Sequence, residues 1–353
     1  MRLLRRLLSR GAGLVLCAAL PILGAGGPAD AKPKFTAFDP PGTSDTYAEG
    51  INSADTITGH FFNQVMPVRG SDGYVRTSDG TITVFTAQPV TNTWPTCIND
   101  DGSIGGYWLD NTGTYEGFVR APDGTAKIVD PPQDIGGGAY VYGINDKGRL
   151  TGYYVADGLS HGFVRTAGGT YTSFDAPGDA GGTYAYAINA KGAIAGFYGG
   201  STFVNHGFVR AANGTITPFD AAGDTGGTFA VAISAKGLVT GYYVDGNNVP
   251  HGFVRVSNGG LTPFDAAGGT GGTVALAINA KGSITGYYID GNGVAHGFVR
   301  ARNGTIKSFD DPNAGSVSNE HQGTFATGIN ANGSIAGYYV DSSGLAHGFL
   351  RSL

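Results

Sequence analysis

The sequence predicts an all-β protein, a seven-bladed β-propeller of four-stranded repeats. First, the segment His-Gly-Phe-Val-Arg or a close variant occurs seven times, with successive arginines 44, 45, 45, 45, 45 and 51 residues apart. Second, each repeat contains four runs of strand-forming residues. Third, the chain begins with one strand that its last repeat lacks. The seven copies occupy residues 72–76, 116–120, 161–165, 206–210, 251–255, 296–300 and 347–351.

Residues 211–255 show how one repeat is built. Runs rich in β-branched and aromatic residues occur at 215–220, 228–233, 238–244 and 252–255, and turn residues separate them. None of these runs has the period of a helix. Four short strands in about 45 residues are typical of one propeller blade.

Two kinds of turn connect the predicted strands. An Asn-x-x-Gly segment, as at 189–192, suits a type I turn in which glycine takes a left-handed conformation. Asn-Gly or Asp-Gly pairs mark a second hairpin, between the His-Gly-Phe strand and a strand that ends in Phe-Asp. Pro218 and Pro263 lie within this last strand. Because sheets tolerate proline at their edges, we expect this strand to be outermost in each blade.

The phase of the repeat predicts how the propeller closes. Residues 35–39, Phe-Thr-Ala-Phe-Asp, form a lone copy of the outer strand, whereas residues 347–351 lack an outer partner. The N-terminal strand is therefore expected to complete the last blade, which gives seven blades of four strands. A ring closed in this way hides its sheet edges.

Residues 1–31 are predicted to be a signal peptide. Four arginines precede an uncharged, apolar run at 11–27, and Ala-Asp-Ala at 29–31 fits a cleavage site. Residues 32–353 are expected to form one domain, exported to the periplasm or the extracellular space as a monomer without a membrane span. Removing the signal peptide changes the net charge from −5 to −8, which disfavours nucleic acid as a partner. The one remaining cysteine, Cys97, excludes an internal disulfide.

The repeats resemble the extracellular HAF-type repeat, which carries His-Ala-Phe where this chain has His-Gly-Phe. That family also has a Gly-Ile-Asn segment like those at 50–52, 143–145 and 328–330. The resemblance covers residues 35–351 and implies an exported repeat protein with a propeller fold. It implies no established activity.

The repeated histidines are expected to fasten the blades rather than to bind a metal. Four of them precede an aspartate by 14 residues, and the two ends of the intervening hairpin should lie opposite each other. His347 has no such aspartate, but closure of the ring would supply Asp39. Equivalent positions on different blades are too far apart to share an ion, so no metal site is predicted. The four sequential pairs are His161 with Asp175, His206 with Asp220, His251 with Asp265, and His296 with Asp310.

Candidate ligand-binding residues are sought where the repeats differ, because the architecture already explains their identical positions. The differences concentrate in the first, second and seventh blades, which closure makes neighbours. Both tryptophans lie in the second blade, and each also occupies an aromatic packing position of the repeat. The residues predicted to form a ligand-binding surface are His60, Trp94, Trp108, Glu116, Glu320 and His321.

The sequence contains no phosphate-binding loop and no His-Glu-x-x-His zinc motif. We therefore expect a secreted binding or interaction scaffold without a cofactor, whose ligand is a carbohydrate or a cell-envelope protein. The alternative is a glycan hydrolase or lyase that uses carboxylates of the divergent blades, with Glu116 and either Glu320 or Asp130 as its acids. A structural or adhesive module without a small ligand is the third possibility.

Overall fold

The computed structural model describes residues 33–63, 70–87, 92–132, 136–202, 204–317 and 322–353 of the chain. The regular elements in these ranges are 28 β-strands. The predicted signal peptide lies outside the described residues, as do the candidates Glu320 and His321. Among the described residues, no helix is long and apolar enough to cross a membrane.

The strands form five four-stranded sheets and one eight-stranded sheet. The chain enters through β1 (Lys34–Phe38). Sheet 1 contains β2 (Thr43–Ile51), β3 (Ile57–Asn63), β4 (Ser71–Arg76) and β5 (Ile82–Phe85). Sheet 2 contains β6 (Thr93–Ile98), β7 (Ile104–Leu109), β8 (Tyr115–Arg120) and β9 (Ala126–Val129). Sheet 3 contains β10 (Ala139–Ile144), β11 (Leu150–Ala156), β12 (Leu159–Arg165) and β13 (Tyr171–Phe174). Sheet 4 contains β14 (Thr183–Ile188), β15 (Ile194–Gly199), β16 (Asn205–Arg210) and β17 (Ile216–Phe219). Sheet 5 contains β18 (Gly227–Ile233), β19 (Val239–Val244), β20 (Pro250–Arg255) and β21 (Leu261–Phe264).

The eight-stranded sheet 6 consists of two four-stranded parts. Sheet 6a contains β22 (Gly272–Ile278), β23 (Ile284–Ile289), β24 (Ala295–Arg300) and β25 (Ile306–Phe309). Sheet 6b contains β26 (Gly323–Ile329), β27 (Ile335–Val340) and β28 (Ala346–Ser352), with β1 as its outer strand. A single parallel bridge between Ala295 and Gly323 joins the two parts. The antiparallel pairing of β1 with β28 confirms that the N-terminal strand completes the C-terminal unit.

The strands follow the sequence pattern closely. The runs predicted at 215–220, 228–233, 238–244 and 252–255 become β17 to β20, with bounds that shift by a few residues at most. The Phe-Asp strand is the outermost strand in sheets 3 to 6, as the two prolines indicated, and its equivalents β5 and β9, which end in Phe-Thr and Val-Asp, are outermost in sheets 1 and 2. The Asn-x-x-Gly turns also form, with the Gly192 N–H donating to the Asn189 carbonyl at 2.9 Å and a φ of 84° at Gly192.

The hydrophobic core lies between neighbouring sheets. The aromatic residue of each His-Gly-Phe segment is almost completely buried, from Tyr74 in sheet 1 to Phe349 in sheet 6b. Burial of such a ring stabilises the fold by about 1.5–3 kcal/mol. One cluster joins Tyr74, Ile57 and Phe61 of sheet 1 to Phe38 and Leu350 of sheet 6b. The first and last units of the chain therefore share a core.

Asparagine side chains link the inner strands of adjacent sheets, an arrangement here called the asparagine belt. Each asparagine that ends an inner strand donates from Nδ2 to the backbone carbonyl of the equivalent residue in the next sheet. Asn330 of sheet 6b donates in this way to Asn52 of sheet 1, at 2.9 Å. Sheet 5 has Ser234 at this position. The other links run from Asn52 to Asn99, Asn99 to Asn145, Asn145 to Asn189, Asn189 to Ser234, and Asn279 to Asn330.

The arginine of the repeated segment also connects adjacent sheets. The guanidinium of Arg255 in sheet 5 lies 4.7 Å from the ring centre of Phe219, on the outer strand of sheet 4. Arg165 is the exception, because the outer strand of sheet 2 ends in Val129. Its guanidinium instead lies over Tyr171 of its own sheet, at 5.6 Å. The repeated arginine therefore has a packing role through cation–π contact.

Candidate functional site

A β-bulge interrupts the inner strand of every repeat. In sheet 1, Ala48 pairs with Gly59 and Gly50 pairs with Thr58, which leaves Glu49 without a partner in the ladder. A bulge of this kind bends the strand and re-aims the extra side chain. The bulged residues are Glu49, Thr96, Tyr142, Tyr186, Val231, Leu276 and Thr327.

The bulged residues from all seven units line one cavity of about 370 Å³, here called the inner cavity. This volume lies within the range of sites for small organic ligands, about 300–1,000 Å³. A second cavity of about 220 Å³ lies at the asparagine belt and is lined by Asn52 and its equivalents. The inner strands thus place one side chain from each unit around a common space.

The bulge position is where the inner strands differ most in chemistry. Isoleucine follows two positions later in every inner strand, and alanine precedes the bulge in five of the seven. The bulge itself carries an acid, two threonines, two tyrosines, a valine and a leucine. Chain order places Val231 and Leu276 on adjacent units, and Thr327, Glu49 and Thr96 on the units that follow. The inner cavity therefore has an apolar side and a polar side.

The two threonines beside Glu49 use their hydroxyl groups to bind neighbouring sheets. Thr96 Oγ1 donates to the Val141 carbonyl at 2.6 Å. Thr327 Oγ1 donates to the Ala48 carbonyl at 2.7 Å. Both side chains are short and held by these bonds. Their hydroxyl groups are therefore engaged in contacts between sheets.

Glu49 lies close to His60, a residue predicted to belong to a ligand-binding surface. His60 Nδ1 is 3.7 Å from Glu49 Oε1, and the imidazole stacks on Tyr47 with ring centres 5.0 Å apart. Burial raises the pKa of Glu49 to about 7 and lowers the pKa of His60 to about 4. The Glu49 side chain keeps 35% of its surface exposed, but it lies at the inner cavity, where the surrounding protein still disfavours its charge. At neutral pH His60 is uncharged and Glu49 carries a partial negative charge.

Tyrosines surround the rest of the polar side. The rings of Tyr142 and Tyr186 stack with centres 4.6 Å apart. The ring centre of Tyr107 lies 6.1 Å from that of Tyr142. Burial raises the pKa of Tyr107, and the charge of Glu49 adds to that rise. Glu49 is therefore electrostatically coupled to the aromatic residues of neighbouring units.

The two tryptophans of sheet 2 pack against protein. Trp94 stacks on Tyr107 with ring centres 5.4 Å apart and also contacts Tyr115. Trp108 is 8% exposed and packs with Ile104 and Phe118 in a hydrophobic cluster. Neither tryptophan lines the inner cavity.

The acids predicted for an enzymatic site are not assembled in the inner cavity. Glu116 lies in β8 opposite Trp108, on the third strand from the inside of sheet 2. Asp130 follows the outer strand β9. Neither residue lines the inner cavity. Of the predicted ligand-binding residues that the structure describes, only His60 lies beside the cavity-lining Glu49.

The repeated histidines lie within hydrogen-bonding distance of the aspartates named from the sequence. His161 Nδ1 is 2.8 Å from Asp175 Oδ1, and His347 Nδ1 is 2.8 Å from Asp39 Oδ2. Thr46 Oγ1 also donates to Asp39, at 2.7 Å. The remaining pairs are His206 with Asp220 at 2.8 Å, His251 with Asp265 at 3.0 Å, and His296 with Asp310 at 2.9 Å.

Two of the described loops have the pattern Asp-x-x-x-Asp, at 175–179 and 220–224, and the second aspartate of each holds its own loop. Asp179 accepts hydrogen bonds from the backbone N–H groups of Gly181 and Gly182, and from the Thr183 hydroxyl at 2.6 Å. Asp224 does the same in the next sheet. Within the described ranges, no group of three or more acidic, histidine or cysteine side chains is arranged to hold a metal ion.

The sequence predictions missed most of the inner cavity. Glu49 and the other bulged residues could have been found by aligning the repeats on Ile-Asn and asking which inner-strand position changes. Cys97 lines the same cavity, and burial raises the pKa of its thiol to about 12. Residues 158–162 also match Gly-x-Ser-x-Gly. However, Ser160 lies inside strand β12, not at the strand-to-helix turn that activates a nucleophile.

No protein family model matches the chain, and no curated protein matches it. Membership in the HAF-type family therefore stays a prediction. A streptogramin B lyase structure is similar, with a TM-score of 0.61 and 15% identity over 91% of this chain and 98% of that one. Virginiamycin B lyase from Staphylococcus aureus is similar with a TM-score of 0.57 and 15% identity, over 91% of this chain and 100% of that one. The β-propeller domain of the Trilobed protease from Pyrococcus furiosus has a TM-score of 0.60 and 8% identity, over 87% of this chain and 95% of that one. At such low identities the likeness concerns the fold, and the fold of this chain is a β-propeller.

Proposed function

We propose that the chain is a closed, seven-bladed β-propeller that binds a ligand in its inner cavity. Sheets 1 to 5, 6a and 6b would be the blades. Closure is supported by the pairing of β1 with β28 and by the bonds from Thr327 to Ala48 and from Asn330 to Asn52. The Trilobed protease domain, by contrast, is described as having an open velcro topology.

The chemical variety of the bulged residues is the observation that carries the proposal. Packing between the blades requires the repeated alanine, isoleucine and asparagine, and these positions change little. The bulged residue is outside the ladder and faces the cavity, and at Thr96 and Thr327 its side chain donates a hydrogen bond to the backbone of a neighbouring sheet. At the other five bulges the ladder does not dictate its identity. A purely structural ring gives no reason for an acid, two tyrosines and two aliphatic residues at this position. A binding site with distinct polar and apolar sides explains this variety of residues.

For the ligand we propose a carbohydrate or a component of the cell envelope, met after export to the periplasm or the extracellular space. The predicted signal peptide supports export. Tyr142 and Tyr186 offer stacked aromatic rings with hydroxyl groups, and Glu49 offers a hydrogen-bond acceptor. These groups suit the alternating apolar faces and hydroxyl edges of a sugar.

A lyase is the second candidate function, and Glu49 is the observation that favours it. A carboxyl group whose pKa is raised to about 7 can take and return a proton near neutral pH. Two of the similar folds belong to proteins named as lyases. A glycoside hydrolase is less well supported, because it needs two carboxyl groups about 5–9.5 Å apart. Among the described residues that line the inner cavity, Glu49 is the one acid.

The binding function is tested with substitutions borrowed from other repeats. Tyr186→Val introduces the residue that sheet 5 has at the bulge, and Tyr184→Phe introduces the residue that sheet 5 has two positions earlier. Both should fold, because their neighbours already tolerate these side chains in the equivalent blade. Glycan-array and envelope-extract binding should weaken about tenfold or more in Tyr186→Val and persist in Tyr184→Phe. Equal binding by the two variants, or no binding by the unmodified protein, would contradict the proposal.

A further inference from the structure

We propose that the part of the ligand entering the inner cavity carries a primary ammonium group, held by the Glu49 carboxylate. This inference rests on the proposed binding function and specifies the chemistry of the ligand. An amino sugar and a lysine side chain both present such a group.

The charge of the inner cavity is one-sided. Glu49 is its one acid, and neither lysine nor arginine is among the described residues that line it. The nearest basic side chain that the structure records at Glu49 is His60, at 3.7 Å, and this imidazole is uncharged at neutral pH. A carboxylate that is partly surrounded by protein and lacks a cationic partner attracts a cation more strongly than it would in bulk water. The same field repels an anionic ligand.

The other polar side chains next to Glu49 leave its carboxylate available to a ligand. The threonines beside Glu49 are bound to neighbouring backbone carbonyls. They therefore do not compete with a ligand for the carboxylate.

The apolar side of the cavity specifies the rest of the bound group. Val231 and Leu276 present aliphatic surface on adjacent units. A short carbon skeleton that carries the ammonium would contact them while its charge faced Glu49. A bare metal ion or ammonia would leave this surface unused.

The titratable groups around Glu49 allow a pH signature. They are His60 on β3 and the tyrosines 47, 74, 107 and 338, whose pKa values are all raised, first by burial and further by the charge of Glu49. These tyrosines stay uncharged near neutral pH, and so does His60. On the protein side, binding of an ammonium should therefore be coupled to proton loss from Glu49 alone. Affinity should weaken about tenfold for each pH unit below 7. Above pH 7 it should level off for cadaverine, whose amines resemble that of lysine, and fall again for glucosamine once its own ammonium loses its proton, near the usual range of an α-amino group.

The test is calorimetric titration of the purified protein with glucosamine and with cadaverine, the diamine that mimics a lysine side chain. N-acetylglucosamine and 1,5-pentanediol are the uncharged counterparts. At neutral pH each amine that binds should have an affinity about tenfold higher than that of its uncharged counterpart, a difference typical of one charge-assisted hydrogen bond. The tighter of the two amines identifies the source of the ammonium. Glu49→Gln should abolish the preference, and Glu116→Gln, which is the same change away from the cavity, should preserve it.

Four outcomes would overturn the inference. Equal affinity for glucosamine and N-acetylglucosamine would exclude recognition of charge. Amine binding that survives Glu49→Gln would place the cation elsewhere. Binding of uncharged glycans with no binding of either amine would leave the proposed binding function standing and remove only the ammonium. If neither amines nor glycans nor envelope extracts bind, both proposals fall.

Discussion

The glycine of each His-Gly-Phe segment makes room for an aromatic ring. Gly207 lies directly opposite Phe219 of the outer strand, and a β-carbon on Gly207 would lie 2.8 Å from the nearest atom of that ring. The same contact recurs at Gly162 and Gly252, again with the phenylalanine of the outer strand. The departure from the His-Ala-Phe of HAF-type repeats therefore has a steric cause in this chain.

Gly207→Ala is expected to lower the free energy of unfolding by about 1–3 kcal/mol, because the Phe219 ring must move to accept the methyl group. Urea denaturation followed by tyrosine and tryptophan fluorescence measures the change. Gly246→Ala is the control, since the nearest atom to its added methyl group would be Thr225 Oγ1 at 3.5 Å. The control should change stability by less than about 0.5 kcal/mol. Similar losses in both variants would show that the ring contact is not the cause.

Among the strands and turns, the asparagine belt is the most regular link between blades. Each asparagine accepts hydrogen bonds within its own turn through Oδ1 and donates to the next blade through Nδ2, as Asn189 does toward Ser234. Ser234 binds the Leu238 N–H within its turn. A serine hydroxyl is too short to replace both functions of the amide. The link from sheet 5 to sheet 6a therefore lacks the side-chain bond that the other blades have.

Ser234→Asn is expected to raise the free energy of unfolding by about 0.5–1.5 kcal/mol, the usual contribution of one added hydrogen bond. Thermal and urea unfolding both report this change. Asn189→Ser is the matched reverse substitution and should lower stability by a similar amount. A destabilising effect of Ser234→Asn would mean that the belt contributes little at this position.

The strands and turns could be predicted because their signals are local. The sequence around 211–255 contains alternating β-formers and turn residues, and the structure places strands there with small shifts. The order of strands within a blade followed from Pro218 and Pro263. The bulges were not predicted, because one extra residue does not disturb the alternation enough to be seen in a single strand. They become visible only when the register of two strands is known.

The candidate site could be predicted only in part for the same reason. His60 was chosen because sheet 1 departs from the repeat, and it does lie beside the cavity. Glu116 was chosen on the same grounds, yet it belongs to the third strand of its blade. Divergence from a repeat indicates that a residue is unusual, but not which side of the blade it faces. Glu49 became a candidate once the bulge and the lining of the cavity were known.

For the molecule as a whole, the contact between the two ends of the chain depends on ionisable groups. His347 Nδ1 lies 2.8 Å from Asp39 of β1, and its Nε2 lies 3.5 Å from Asp341. Burial alone would lower the pKa of His347, but the hydrogen bonds and charges of these two aspartates raise it above the ordinary value. Protonated His347 therefore stabilises the pairing of β1 with β28.

The contribution of His347 is expected to be largest below about pH 6.5, the ordinary pKa of histidine, and to disappear as the pH rises through the raised value. His347→Ala should cost about 0.5–1 kcal/mol more at pH 5.5 than at pH 9, within the range for partly exposed ion pairs. Unfolding by urea at both pH values measures the difference. Asp39→Asn keeps the shape of the partner and should remove most of the same pH dependence. A cost of His347→Ala that is equal at both pH values would contradict this role.

Apart from Thr96 and Thr327, whose hydroxyl groups bind neighbouring sheets, the bulged residues separate what the propeller recognises from what keeps it folded. Since each lies outside the hydrogen-bonded ladder, its replacement leaves the pairing of the inner strand intact. A lineage of duplicated repeats could therefore change its specificity one blade at a time without first acquiring compensating changes in the core. The same property makes the other five positions suitable sites for engineering new receptors on an unchanged backbone.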